Sequence, residues 1–197
     1  MTINLKKGDR VELTKGRSLS QISVALGWDP AKYAGTADFD LDASAFLLNT
    51  AGKCATEADF VFYNNKTHAS GAVTHSGDDL TGRGGVGGLT GSDKEVIKVN
   101  LTRIPTTVDR ISFTATIFEY RQRAQNFGMV TNAFIRIIDD ATGVELMKYD
   151  LSASFGKEAA VIFGDIYREG TEWKFQAAGI GIDGGLETLA TRYGLTV

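Results

Sequence analysis

The run Ile111-Ser112-Phe113-Thr114-Ala115-Thr116-Ile117 alternates apolar side chains with hydroxyls. That period of two is a β-strand with one face on a core. Thr171-Glu172-Trp173-Lys174-Phe175-Gln176-Ala177 alternates more clearly still, with Trp173, Phe175 and Ala177 expected inward. Ala133–Ile138 is almost continuously apolar and reads as a more central strand. Further strands are predicted over Ile22–Gly27, Ser44–Leu48, Phe60–Tyr63, Val96–Leu101, Val144–Leu151 and Ala159–Tyr167. Turn signals such as Asp139-Asp140-Ala141-Thr142-Gly143 and Arg168-Glu169-Gly170 separate them. Helix is scarce. Leu186–Tyr193 sets Leu186, Leu189, Ala190 and Tyr193 on one face with Gly194 as a stop, and Glu119–Gln125 has room for a single turn. Many short strands with so little helix predict an all-β fold, a two-sheet β-sandwich with one or two short helices. With no linker composition and no internal repeat at a fixed period, residues 1–197 read as one domain.

Composition narrows the class. The 197 residues include 23 Gly but only 2 Pro, which excludes collagen-like and Pro-rich disordered chains. Apolar residues at 43% and charged residues at 23% suit a chain that buries a core. The net charge of −3 is against a nucleic-acid binder. It also hides an asymmetry. Residues 38–95 hold four basic and nine acidic groups, whereas residues 1–37 hold six basic and three acidic. One cysteine, Cys54, cannot form an internal disulfide, and no His lies near it in sequence to activate it as a nucleophile. The first residues lack an apolar leader core, and no apolar run reaches the ~20 residues of a membrane helix. The expected location is the cytoplasm.

The acidic excess has a focus. In an extended Asp38-Phe39-Asp40-Leu41-Asp42-Ala43-Ser44, the three aspartates share one side and Phe39, Leu41 and Ala43 the other. Neighbouring carboxylates repel unless water or a cation screens them. The segment is therefore either a solvated strand edge or part of a hard-cation site. It is no EF-hand, since Ala43 and Asn49 stand where that loop needs Gly and Glu. Other oxygen donors follow at Asn64-Asn65 and at Gly77-Asp78-Asp79-Leu80-Thr81-Gly82. An all-oxygen set built on loops favours Ca²⁺.

Six glycines (82, 84, 85, 87, 88 and 91) crowd the ten residues from Gly82 to Gly91. Such a loop either folds its carbonyls onto an ion or is a flexible linker. Gly82, Gly84 and Gly87 match the dinucleotide fingerprint, as do Gly179, Gly181 and Gly184. A strand-like run rather than a helix follows the first. After the second, too little chain remains for a strand carrying the ribose-binding acid. The only histidines, His68 and His75, read as exposed loop residues, and no triad spacing supports an enzyme.

At these blocks the chain resembles the TerD family, the tellurium-resistance and general-stress proteins of bacteria. The resemblance also runs through Gly27-Trp28-Asp29, Phe62-Tyr63-Asn64-Asn65-Lys66, Gln125-Asn126-Phe127-Gly128-Met129-Val130, Asn132-Ala133-Phe134-Ile135-Arg136 and Ala177–Gly185. It implies a β-sandwich that binds Ca²⁺ at clustered acidic loops without catalysis. The matching ligand positions are Asp38, Asp40 and Asp42, then Asn64 and Asn65, then Asp78, Asp79 and Thr81, with Asp93 and Glu95 as further contributors. The resemblance implies work beside other tellurite-resistance and stress proteins, including a membrane-bound partner at the inner face of the membrane. The chain departs from the family pattern at Arg83 and Lys94, where acidic residues are expected, and a cation over an ion site opposes Ca²⁺. Tellurite reduction would need a thiol pair or redox cofactor, so any resistance is expected to be indirect.

Overall fold

The computed structural model describes residues 2–29, 38–77, 93–151 and 155–196. In chain order the strands are β1 (Ile3–Asn4), β2 (Arg10–Glu12), β3 (Gln21–Gly27), β4 (Leu41–Leu48), β5 (Phe60–Val61) and β6 (Val73–His75). Then come β7 (Asp93–Asn100), β8 (Arg110–Ile117), β9 (Phe134–Asp139), β10 (Glu145–Asp150), β11 (Ala160–Glu169) and β12 (Glu172–Ile182). A single helical turn, α1 (Tyr120–Arg123), and a two-turn helix, α2 (Leu186–Arg192), complete the regular structure together with three short 3₁₀ turns. Among the described residues the strands form two six-stranded sheets. One has the order β1-β10-β9-β3-β7-β6 and the other β2-β12-β11-β8-β4-β5. Every pairing is antiparallel except β1 with β10.

The two inner faces make the main core. From the first sheet come Ile22, Val24 and Leu26 of β3, and from the second Ile111, Phe113 and Ala115 of β8. Trp173, Phe175 and Ala177 point inward as the alternation predicts. This is a β-sandwich of alternating in-and-out residues. A second cluster lies on the outer face of the second sheet, where Leu189, Ala190 and Tyr193 of the α2 region cover Phe46, Phe60 and Ile162. That cover explains why β4 is buried along its whole length.

The departures from expectation have local causes. β4 begins at Leu41 rather than Ser44, because its pairing with β8 runs from Leu41↔Ile117 to Leu48↔Arg110 and so places Asp42 inside the ladder. The predicted Phe60–Tyr63 strand stops at Val61. Phe62 and Asn65 exchange backbone hydrogen bonds around a two-residue turn, and the Asn65 amide donates to the Phe60 carbonyl. The short β1, β2 and β6 are each held by a longer neighbour. Gly179 serves the fold rather than a nucleotide. It has φ +56°, and a Cβ there would lie 2.3 Å from the Tyr149 hydroxyl. The glycine-rich run of residues 82–91, with the first fingerprint match, lies outside the described residues.

Candidate functional site

The acidic segment enters β4 through a fixed approach. The Trp28 indole donates to the Phe39 carbonyl at 3.1 Å, the Phe118 amide to the Asp40 carbonyl at 2.9 Å, and the Gln125 side chain to the Asp38 carbonyl at 3.4 Å. Residues singled out in the Gly27-Trp28-Asp29 and Gln125–Val130 blocks thus hold the backbone of the aspartate run. Phe39, Leu41 and Ala43 enter the core. The aspartates are not a solvated edge. Asp40 and Asp42 are only 2% and 4% exposed. Burying carboxylates is costly without compensation. The Arg123 guanidinium stands 3.7 Å from Asp40 Oδ2 and bridges it towards Glu119. Asp42 faces Thr116 across the β4–β8 ladder, and the buried Thr116 hydroxyl has no hydrogen-bond partner among the described residues. Asp42 and Thr116 also line a cleft of about 350 Å³ together with Tyr63 and Glu119.

The next residue, Ala43, ties this strand to the other sheet. β5 pairs only with Ala45 and Phe46, so among the described residues no strand covers the edge of β4 at Ala43. A buried backbone amide must find a partner. The Ala43 N–H donates to Glu95 Oε2 at 2.6 Å, and its carbonyl lies 3.1 Å from His75 Nε2. His75 Nδ1 accepts from the Gly77 N–H at 3.1 Å, which assigns the proton to Nε2, the donor to Ala43. His75 Nε2 and Glu95 Oε2 are 3.4 Å apart, and both side chains are fully buried. His75 ends β6 and Glu95 lies near the start of β7. The two strand ends flanking residues 78–92 are therefore fastened beside Asp42.

His75 is thus no exposed loop residue, and neither is His68. The His68 ring donates from Nε2 to Asp59 Oδ1 at 3.1 Å and accepts at Nδ1 from the Ser70 N–H at 3.2 Å. Both histidines hold backbone in place. Cys54 is likewise structural: burial, reinforced by the Asp59 charge, pushes its thiol up to about 12. At neutral pH it stays protonated and a poor nucleophile.

Asp93 and Glu95 are drawn apart by a β-bulge. Leu26 pairs with Glu95 but Gly27 pairs with Asp93, which leaves Lys94 as the extra residue. Residues two apart normally share a face, and the inserted residue reverses that. Asp93 meets Arg136, whose neighbours Ile135 and Ile137 point into the core, so this pair sits on the outer face of the first sheet. Arg136 donates from Nε to Asp93 Oδ1 at 2.8 Å, from Nη2 to Oδ2, and from Nη1 to Glu145 at 3.0 Å. Burial works against the Arg136 charge, but the hydrogen bonds to Asp93 and Glu145 outweigh it and raise its pKa. Glu95 points the other way, into the space between the sheets.

Of the predicted ligand positions, then, Asp38, Asp40 and Asp42 follow one another along the entry to β4, and Glu95 reaches the same strand at the Ala43 amide. Asn64 is exposed, and Asn65 closes its turn. Asp93 is held by Arg136. Asp78, Asp79 and Thr81 lie outside the described residues. Among the described residues no three His, Cys, Asp or Glu side chains form a group able to hold a metal ion. Sequence reading missed Arg136, His75 and Arg123 as neighbours of the acidic residues. Their charge types were visible, but their partners come from other strands and turns.

Comparison with known proteins agrees with this architecture. The family model described as the TerD domain matches residues 1–193. General stress protein 16U of Bacillus subtilis (strain 168) is 52% identical over the full length of both chains. Tellurium resistance protein TerD of Serratia marcescens is 44% identical, covering 99% of this chain and 98% of its own. Among solved structures, a homologue of telluride resistance protein (TerD) from Streptomyces coelicolor A3(2) superposes with a TM-score of 0.71 at 19% identity. The match covers 91% of this chain and all of the other, and shows a shared fold.

Proposed function

The chain belongs to the TerD domain family of tellurium-resistance and general-stress proteins, and on that premise we propose that it is a calcium-binding, non-catalytic interaction module. One observation carries the reading. Two buried aspartates stand at the start of β4, and the strand ends flanking residues 78–92, which include Asp78, Asp79 and Thr81, are tied to the very next residue, Ala43. The donor chemistry suits a hard cation: carboxylates, a buried threonine hydroxyl and carbonyls, with the two imidazoles already committed to backbone and carboxylate. Asp40 and Asp42 would hold the ion from β4, with the remaining donors supplied by Asp38, Asp78, Asp79 and Thr81. Ca²⁺ would supply charge neutralisation and cross-linking there. Asn64 and Asn65 stand outside this set, and Asp93 and Glu95 act as its structural support.

The module would act in the cytoplasm, peripherally at the inner membrane face, beside other stress and tellurite-resistance proteins. No helix among the described residues is long and apolar enough to cross a membrane. One observation favours an alternative, a scaffold without a metal: Arg123 beside Asp40 already offsets part of the acidic charge. Calorimetric titration of chelator-washed protein separates the two. Saturable Ca²⁺ binding, weakened in Asp40→Asn and not reproduced by equimolar Mg²⁺, is expected. No heat of binding at millimolar Ca²⁺ would leave the scaffold.

A further inference from the structure

The cleft at the opposite end of β4 is a second place where the chain is equipped to bind. Asp42 and Leu48 are six residues apart on β4, about 20 Å at ~3.3 Å per residue. Leu48 pairs with Arg110, and around this end of the sheet's outer face lies a cavity of about 600 Å³. That is within the ~300–1,000 Å³ range of small-molecule sites. Three kinds of group converge on it.

The first is an acceptor in the floor. Asp165 is 9% exposed; its Oδ2 accepts from Arg110 Nη1 at 2.8 Å, while its Oδ1 is buried with no hydrogen-bond partner. An ionised carboxylate offers about four lone-pair positions, so one neutralising contact leaves it able to take a further donor. The second is a basic part of the lining, Lys53 and Arg192 with Arg110, which outnumbers the one further acid there, Asp109; Lys53 Nζ also donates to the Arg192 carbonyl at 2.6 Å. The third is an apolar wall that includes Ile162 and Ile180; Ile180 is one of few large apolar side chains exposed among the described residues, at 38%.

A donor-seeking floor, an anion-seeking basic lining and an apolar wall are complementary to one kind of molecule. We propose that this cleft binds a small amino acid-type zwitterion with an apolar side chain, its ammonium group on Asp165, its carboxylate towards Lys53 and Arg192, and its side chain on Ile162 and Ile180. An ammonium placed there would give the buried carboxylate a charge-assisted hydrogen bond, the stronger class of such bonds. The site is independent of the metal reading, since none of its residues belongs to the acidic segment.

The test uses the full chain, ¹⁵N-labelled, with three probes: L-leucine, L-leucinamide, which lacks the carboxylate, and 4-methylpentanoate, which lacks the amino group. Leucine is expected to shift the amides of residues 49–53, 109–110 and 192–193 saturably, and each truncated probe to bind at least about fivefold more weakly. Asp165→Asn should abolish the preference for leucine over 4-methylpentanoate. Arg192→Ala, an exposed change that leaves the fold intact, should weaken leucine and 4-methylpentanoate but not leucinamide. No shifts at millimolar leucine, shifts centred elsewhere, or equal affinity for the three probes would overturn the proposal.

Discussion

Two acidic strand starts lie side by side in this sandwich and have been put to different uses. At the start of β7, Asp93 is gripped by a two-pronged Arg136, and Glu95 caps the Ala43 amide beside His75. At the entry to β4, Asp40 and Asp42 are buried as well, and the Arg123 guanidinium stands 3.7 Å from Asp40. The β7 acids accept hydrogen bonds from Arg136 and from the Ala43 amide, which supports reading them as structural. The two places share acidity and burial. On the proposed reading, what separates the two is their surroundings: Arg136 and the Ala43 amide at β7, a buried threonine hydroxyl and a cleft at β4.

The sharpest way to break the comparison is to remove the structural acids. Glu95→Ala leaves the Ala43 amide buried without its acceptor and removes the carboxylate beside His75, and we expect a loss of about 3–4 kcal/mol in urea unfolding, with or without Ca²⁺. Arg136→Met strands Asp93 as a buried charge and should cost about 3 kcal/mol by the same measurement. If either variant lost calcium binding while keeping wild-type stability, the β7 acids would be ligands rather than supports. Gly179→Ala, remote from both acidic starts, should cost about 2 kcal/mol from its positive φ and its clash with Tyr149, and calibrates the scale of a purely steric defect. Asp40→Asn should stay within about 1 kcal/mol of wild type in chelator, because the amide keeps the side chain's shape while removing a buried charge. The smallest effect concerns Cys54. Its thiol, pushed up to about 12 by burial, is expected to resist alkylation at pH 8 in folded protein and to react only on unfolding.

The sequence made the sandwich legible because its evidence is local. Alternation in Ile111–Ile117 and Thr171–Ala177 reports a half-buried strand without knowledge of any neighbour. The site was legible only where it was local too. The aspartate run of residues 38–42 stands out as a pattern, and its backbone does share one direction. The bulge at Lys94 does not, because it exists only in the pairing of β7 with β3, and it alone sends Asp93 and Glu95 to opposite faces. The histidines misled for the same reason. A His between polar loop residues looks exposed until β4's edge at Ala43 is seen to need a donor. β4 itself starts earlier than its apolar pattern suggested, since its ladder with β8 runs on to Leu41 and takes polar Asp42 in with it.

The central claim is that the β4 acids, not the β7 acids, bind calcium, and thermal unfolding tests it most directly. Ligand at a hundred times its Kd stabilises by about 2.7 kcal/mol, which for a chain of this size is a rise of about 5–10 °C. Wild type and Arg136→Met should both show that rise when Ca²⁺ replaces chelator, the latter from a lower starting temperature, and Asp40→Asn should lose most of it. A full rise retained in Asp40→Asn, or no rise in wild type, would contradict the account.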